Sequence, residues 1–274
     1  MLIGEEPLDL RLTLIDSAQC FRWTERGGRF GCAFERGPVW LWRTARGIEA
    51  EGDFDRAWLR RYLDLDRDYA AIAEQYAGYP AAREAMALLP GLRVLNQSPW
   101  EALISFILSA NNNVERIRSL AAALCSRYGR AFDDLHGFPT PEQLNSAPED
   151  ELRGLRVGYR APYLIGAARR VVDGFPLEDL RKMPYEDAHR LLITLSGVGD
   201  KVADCVLLFG CGQTSAFPVD VWVARLMKRW FGIEEKNRAA TQRRAREMFG
   251  ENAGLLQQFL FHAARVGVIN LKEA

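Results

Sequence analysis

Lys201 and Cys205 stand four residues apart in the segment LSGVGDKVADCVLLFG, Leu195 to Gly210, and Asp220 follows nineteen residues after the lysine in FPVDVWVARL. An amine attacks an electrophilic carbon only as the free base, and its adduct with an aldehyde carbon is a Schiff base. Lys201 falls in the first turn after two glycines, among Val202, Ala203, Val206 and Leu207. A helix N-terminus disfavours a cation and apolar surroundings penalise one, so both influences favour the neutral amine. Asp220 opens another helical pattern, where the dipole keeps a carboxylate ionised and able to stabilise a cation or accept a proton. Cys205 shares a helix face with Lys201. Each residue has a plainer reading: a lysine with its head in water, a packed thiol, an aspartate that only caps its helix.

The elements around these residues read as helix (PYEDAHRLLITL), glycine turn (SGVG) and helix (DKVADCVLLFG). Gly197 and Gly199 can take positive φ and admit a close backbone, and the second helix offers unpaired N–H groups at its start. Such a hairpin can hold a phosphate without side-chain charge. It can equally be an ordinary αα-hairpin whose glycines only permit the turn.

Upstream, LDLRLTL, CFRW, RFGCAF and VWLWRT read as short strands separated by ERGG, ERGP and ARG, an antiparallel meander. From Asp55 onward the period is helical, and most segments end at a glycine. SPWEALISFILSA carries a capping-box pattern, Ser98 with Glu101, and NNN, Asn111 to Asn113, interrupts the helices that flank it. The expected fold is α+β, with an N-terminal antiparallel sheet domain with flanking helices over 1–95 and a mostly helical domain over 96–274.

Lys+Arg and Asp+Glu are both 36, for a net charge of +0, so composition offers no argument for a polyanion or membrane partner. No apolar run is long enough to span a bilayer and no secretion signal opens the chain, so an intracellular location is expected. Five cysteines without a CxxC pair predict free thiols and no metal site.

LSGVGDKVADC followed by PVDV resembles the signature of the helix–hairpin–helix (HhH-GPD) DNA glycosylases, whose monofunctional members lack the lysine. From QCFRW to QQFLF the chain resembles one branch, the 8-oxoguanine DNA glycosylase/AP lyases, including their N-terminal sheet. The resemblance implies that Lys201 is the nucleophile and Asp220 the essential carboxylate. It implies that Asn111 fills the gap left by an extruded base, that Arg116 and Arg160 contact the orphaned cytosine, and that Tyr159 wedges into the duplex. Gly197 and Gly199 then meet the DNA backbone. These types suit the tasks, since arginine donors match the acceptor-rich edge of cytosine and a wedge must replace lost stacking. Taken singly, NNN is also a good turn, Tyr159 a core candidate and Arg116 a solvated arginine.

Gln257 and Phe261, one helical turn apart in GLLQQFLFHAARVG, can address one planar ligand. By resemblance Gln257 bonds the base edge and Phe261 stacks on the base, with Cys205 on the opposite side; the plainer alternative is an exposed amide and a core ring. Ala18 stands where better-known members have the glycine whose carbonyl accepts the N7–H of 8-oxoguanine, and Trp222 where many have a DNA-contacting histidine. The expected partner is double-stranded DNA holding 8-oxoguanine opposite cytosine, bound by a monomer, with no cofactor. The alternatives are a glycosylase for another oxidised or alkylated base on the same scaffold and a non-catalytic helix–hairpin–helix DNA-binding protein.

Overall fold

The computed structural model describes residues 1–267. Five strands, β1 (Leu2–Gly4), β2 (Thr24–Arg26), β3 (Arg29–Ala33), β4 (Pro38–Thr44) and β5 (Gly47–Gly52), form an antiparallel sheet in the order β1-β5-β4-β3-β2. Val39 and Leu41 of β4 are buried on one face, while Trp42 on the other lies beneath the Arg29 guanidinium at 4.2 Å. This alternation is what a half-covered sheet requires.

Two of the expected strands are not strands. LDLRLTL leads into a π-turn over Leu12–Asp16, and CFRW is irregular chain ahead of β2. The alternating leucines misled because Leu10, Thr13, Leu14 and Ser17 also fit a helical period, and all four are buried. The Asp9 carboxylate accepts from Leu12 N at 2.8 Å and starts the turn.

The helices are α1 (Arg56–Tyr62), α2 (Tyr69–Gln75), α3 (Pro80–Leu88), α4 (Pro99–Leu108), α5 (Val114–Tyr128), α6 (Pro141–Asn145), α7 (Glu149–Gly154), α8 (Ala161–Val172), α9 (Tyr185–Leu192), α10 (Asp200–Cys205), α11 (Val221–Phe231), α12 (Arg238–Phe249) and α13 (Ala253–Arg265). Two hydrophobic clusters organise them. The smaller joins the sheet to α1 through Ile3, Leu41, Ile48, Leu59 and Leu63; the larger is built on α4, whose every residue is buried. The architecture is α+β, a five-stranded antiparallel sheet followed by a mostly helical body.

The expected capping box at Ser98 does not form: the Ser98 side chain caps nothing. Glu101 instead pairs with Arg22 through two bonds, of 2.8 and 2.6 Å, both side chains being buried. Arg22 also donates to Ala33 O at 2.6 Å. A bidentate ion pair that ties the sheet region to the central helix outweighs a local bond to the backbone N–H of Ser98, which is exposed and can be met by water.

Candidate active site

The glycine turn joins α9 to α10 as the sequence requires, but its two glycines do different work. Gly197 has φ 85° and faces Tyr163, whose ring would stand 2.6 Å from a Cβ. Gly199 is the N-cap of α10 in extended conformation, φ −101°, with open space around it. Gly197→Ala is therefore expected to destabilise the fold by roughly 2 to 3 kcal/mol, from strain and a ring clash, and Gly199→Ala by less than about 1. Denaturant titration of both variants checks this; equal costs would overturn it.

After Cys205 the helix widens into a π-turn over Val206–Gly210, where the sequence suggests one uninterrupted helix. Gln97 N takes up the Phe209 carbonyl at 2.7 Å, so the widened turn exchanges helical bonds for a tie to the chain entering α4. With that end held, α10 packs along α4 and the nucleophile candidate lies beside the far end of that helix.

Lys201 is half-buried. Its Nζ donates to Ser109 Oγ at 3.0 Å and lies 5.0 Å from the centroid of the Phe106 ring, both at the end of α4. Sequence reasoning missed Ser109, since no local signal marks a serine that closes a helix as a partner of a lysine ninety-two residues away. Cys205 is buried beside this amine. Burial pushes its thiol up to about 12, against the pull of Lys201, so the thiol is neutral near pH 7. Asp220 is the N-cap of α11, its Oδ1 accepting from Val223 N at 2.8 Å, and its charge is felt at Cys205. Capping and catalysis are thus compatible, because one carboxylate oxygen is bonded in the cap and the other takes no part in it.

The NNN turn forms a second group. Asn111 is exposed with φ 51°, and Asn113 caps α5 by accepting from Arg116 N at 2.9 Å. Asn111 Nδ2 donates to the Tyr159 hydroxyl at 3.1 Å, and Tyr159 is itself exposed. Arg160 is only 6% exposed; it donates to the Ala110, Asn111 and Val157 carbonyls and stacks on Tyr159 at 4.5 Å. Arg116 reaches Arg156 O at 3.1 Å from an exposed position. Ser109, Asn111, Tyr159 and the two arginines therefore form one edge, continuous with Lys201.

On α13, Gln257 is 5% exposed; its Nε2 donates to Pro218 O at 3.2 Å, two residues before Asp220, and its buried Oε1 has no partner among the described residues. An unpartnered buried acceptor is costly unless a ligand supplies a donor. Phe261 is partly buried against the helical core. Ala18 takes φ 60°, so the alanine adopts the left-handed turn without glycine. Trp222 is 57% exposed on the first turn of α11, with the Arg225 guanidinium 5.4 Å from its ring.

One residue of α10 was not anticipated. Asp204 has no exposed surface; Tyr185 of α9 donates to its Oδ1 at 2.5 Å and Gln242 of α12 at 3.3 Å, while Oδ2 has no partner among the described residues. Burial raises its carboxyl to about 7, against the hydrogen bonds from Tyr185 and Gln242 and the charge of Arg246. The folded value lies above the unfolded one of 3.8, so its contribution to stability is full below that value and is lost as pH rises through about 7. The charged form costs of the order of 4 kcal/mol at pH 8. Asp204→Asn is accordingly expected to raise the thermal midpoint at pH 8 more than at pH 5; an equal change at both would show that the carboxyl is solvated and titrates as it does in the unfolded chain.

Both parts of the chain are similar to known proteins. Residues 104–251 match the model of the HhH-GPD superfamily base excision DNA repair proteins, and residues 1–103 that of the 8-oxoguanine DNA glycosylase N-terminal domain. The chain is 41% identical over 197 residues to an N-glycosylase/DNA lyase of Saccharomyces cerevisiae, covering 66% of this chain and 47% of the yeast protein. It is 36% identical over 208 residues to a probable N-glycosylase/DNA lyase of Methanothermobacter thermautotrophicus, covering 66% of each. It thus spans about half to two thirds of the length of these relatives. The structure superposes with a TM-score of 0.89 on the Clostridium acetobutylicum 8-oxoguanine glycosylase/lyase bound to double-stranded DNA with cytosine opposite 8-oxoguanine, at 29% identity over 96% of this chain and 94% of that one. With both of its parts matched, the chain belongs to the HhH-GPD superfamily of base excision DNA repair proteins and carries the N-terminal domain of the 8-oxoguanine DNA glycosylases.

Proposed function

We propose that this protein is a bifunctional DNA glycosylase and AP lyase that removes 8-oxoguanine opposite cytosine from duplex DNA after flipping the nucleotide out of the helix. The observation that carries the reading is the amine of Lys201, bonded to Ser109 beside the exposed Asn111/Tyr159 edge, with the carboxylate of Asp220 acting on the same buried Cys205 thiol as that amine. An amine and a carboxylate at the mouth of a mostly buried site suit a reaction in which a sugar cation forms and is captured.

The target base is unreachable in the stack, and flipping costs a few kcal/mol. Asn111 and Tyr159 replace the lost stacking, and Arg116 reads the orphaned cytosine. Arg160 joins it by exchanging its bonds to the turn's carbonyls for the base. The hairpin of Gly197 and Gly199, together with Trp222, meets the backbone. Gln257 and Phe261 take the flipped base, with Cys205 as a neutral packing surface on its other side and the Ala18 carbonyl accepting from N7–H. As the glycosidic bond breaks and the base leaves with its electrons, ionised Asp220 stabilises the positive sugar. The Lys201 lone pair then bonds C1′; ring opening gives the Schiff base, loss of a C2′ proton follows, and the C3′–O bond breaks. In this reading 96–274 is the domain that bears the reacting groups and 1–95 the sheet domain that contributes Ala18. The protein acts as a monomer, without a cofactor, where the cell keeps its DNA, in the nucleoid or nucleus.

The test is single-turnover release of base from duplexes that differ only in the lesion, 8-oxoguanine, an alkylated purine or an oxidised pyrimidine, each opposite every base. Fastest release of 8-oxoguanine opposite cytosine is expected. Faster release of another lesion would assign the site to that base, and binding without release of any would reduce the protein to a DNA binder.

A further inference from the structure

The loop that bears Ala18 is bound by side chains at nearly every carbonyl neighbouring its own. At the end of the π-turn, Arg118 of α5 donates to Ile15 O, Arg265 of α13 to Asp16 O, and Gln258 of α13 to Ser17 O at 2.7 Å. Beyond Ala18, Gln97 Nε2 donates to Gln19 O at 2.7 Å. The Gln19 side chain is buried within the same loop, donating to Thr13 O and Arg93 O and accepting from Leu95 N.

The carbonyls of residues 15, 16, 17 and 19 are therefore occupied, and among the described residues none donates to that of Ala18. Ala18 also holds φ 60°, a conformation that an L-residue with a Cβ keeps only where its surroundings over-determine it. Two of the four donors, Gln258 and Arg265, come from α13, the helix that carries Gln257 and Phe261, so the loop is fixed to the element that bears the other two groups assigned to the base.

On the reading that the Ala18 carbonyl accepts from N7–H of 8-oxoguanine, we propose that Gln258 and Arg265, assisted by Arg118, are positioning residues for lesion recognition: by binding three successive carbonyls they hold the Ala18 carbonyl free and in register with Gln257. Guanine and 8-oxoguanine differ at N7 by one proton, and an acceptor that wanders by an ångström cannot tell them apart. The side chains touch no reacting atom, so cleavage at an abasic site, which needs Lys201 but no base, is independent of them.

Gln258→Leu and Arg265→Met are expected to slow single-turnover release of 8-oxoguanine opposite cytosine by about ten-fold or more each, while cleavage of a preformed abasic site changes by less than about two-fold. Arg265→Lys keeps a donor and should stay within about three-fold of the wild type. If Gln258→Leu fails to fold, the two variants at the exposed Arg265 carry the test. Equal loss of both activities would overturn the proposal in favour of general destabilisation, and so would unchanged base release. A wild-type protein that cleaves abasic sites but releases no 8-oxoguanine would remove the substrate reading itself, and this proposal with it.

Discussion

Replacing Lys201 by glutamine is expected to abolish the covalent adduct that borohydride traps on a duplex holding one 8-oxoguanine opposite cytosine, and to lower strand cleavage by at least about 10³-fold. The loss follows from electron accounting, since the lone pair of an amide nitrogen is delocalised into its carbonyl and is not available to C1′. Glutamine can still donate to Ser109 Oγ, the bond that Lys201 makes at 3.0 Å, so the fold and DNA binding should survive. Electrophoretic mobility of the duplex checks binding, and denaturing gels check the adduct and the nick. An adduct that persists in the variant would mean that another amine is the nucleophile and that Lys201 serves only as a cation near the phosphates.

Asp220→Asn should lower base release by about 10² to 10³ with little effect on stability. Asparagine caps helices as well as aspartate does, so the bond to Val223 N at 2.8 Å is retained and only the charge is lost. The same variant separates two roles of the carboxylate. A preformed abasic site develops no glycosidic cation, so trapping on it should fall much less than base release from 8-oxoguanine. Equal losses on both substrates would assign Asp220 to the proton of Lys201 instead of the charge on the sugar.

Sequence and structure divide the site along a physical line. The hairpin, the start of α10 and the cap at Asp220 are local: glycine, lysine and aspartate act within one helical turn of themselves, so their order in the chain is sufficient. The same holds for the helical spacing of Gln257 and Phe261 on α13. The family resemblance added the roles of Asn111, Tyr159 and the arginines, which spacing alone left open between DNA contact and ordinary turn or core.

What the chain order left undetermined is contact between distant segments. Lys201 meets Ser109 because α10 and the widened turn after Cys205 pack along α4, and no pattern near either residue encodes it. Glu101 has a local partner on paper and a stronger distant one in Arg22, so the ion pair prevails over the cap. The leucines of LDLRLTL fit two periods at once, and burial of Leu10, Thr13 and Leu14 against the folded body selects the helical one. Likewise Asp204 reads as one more polar residue on a helix until Tyr185 and Gln242 enclose it. The sequence by itself determined which residues could react and how each begins or ends its own helix, because those effects decay within a turn of the chain. The tertiary structure decided which of them share a pocket and which carbonyls stay free, because desolvation and pairing depend on every segment that packs around them.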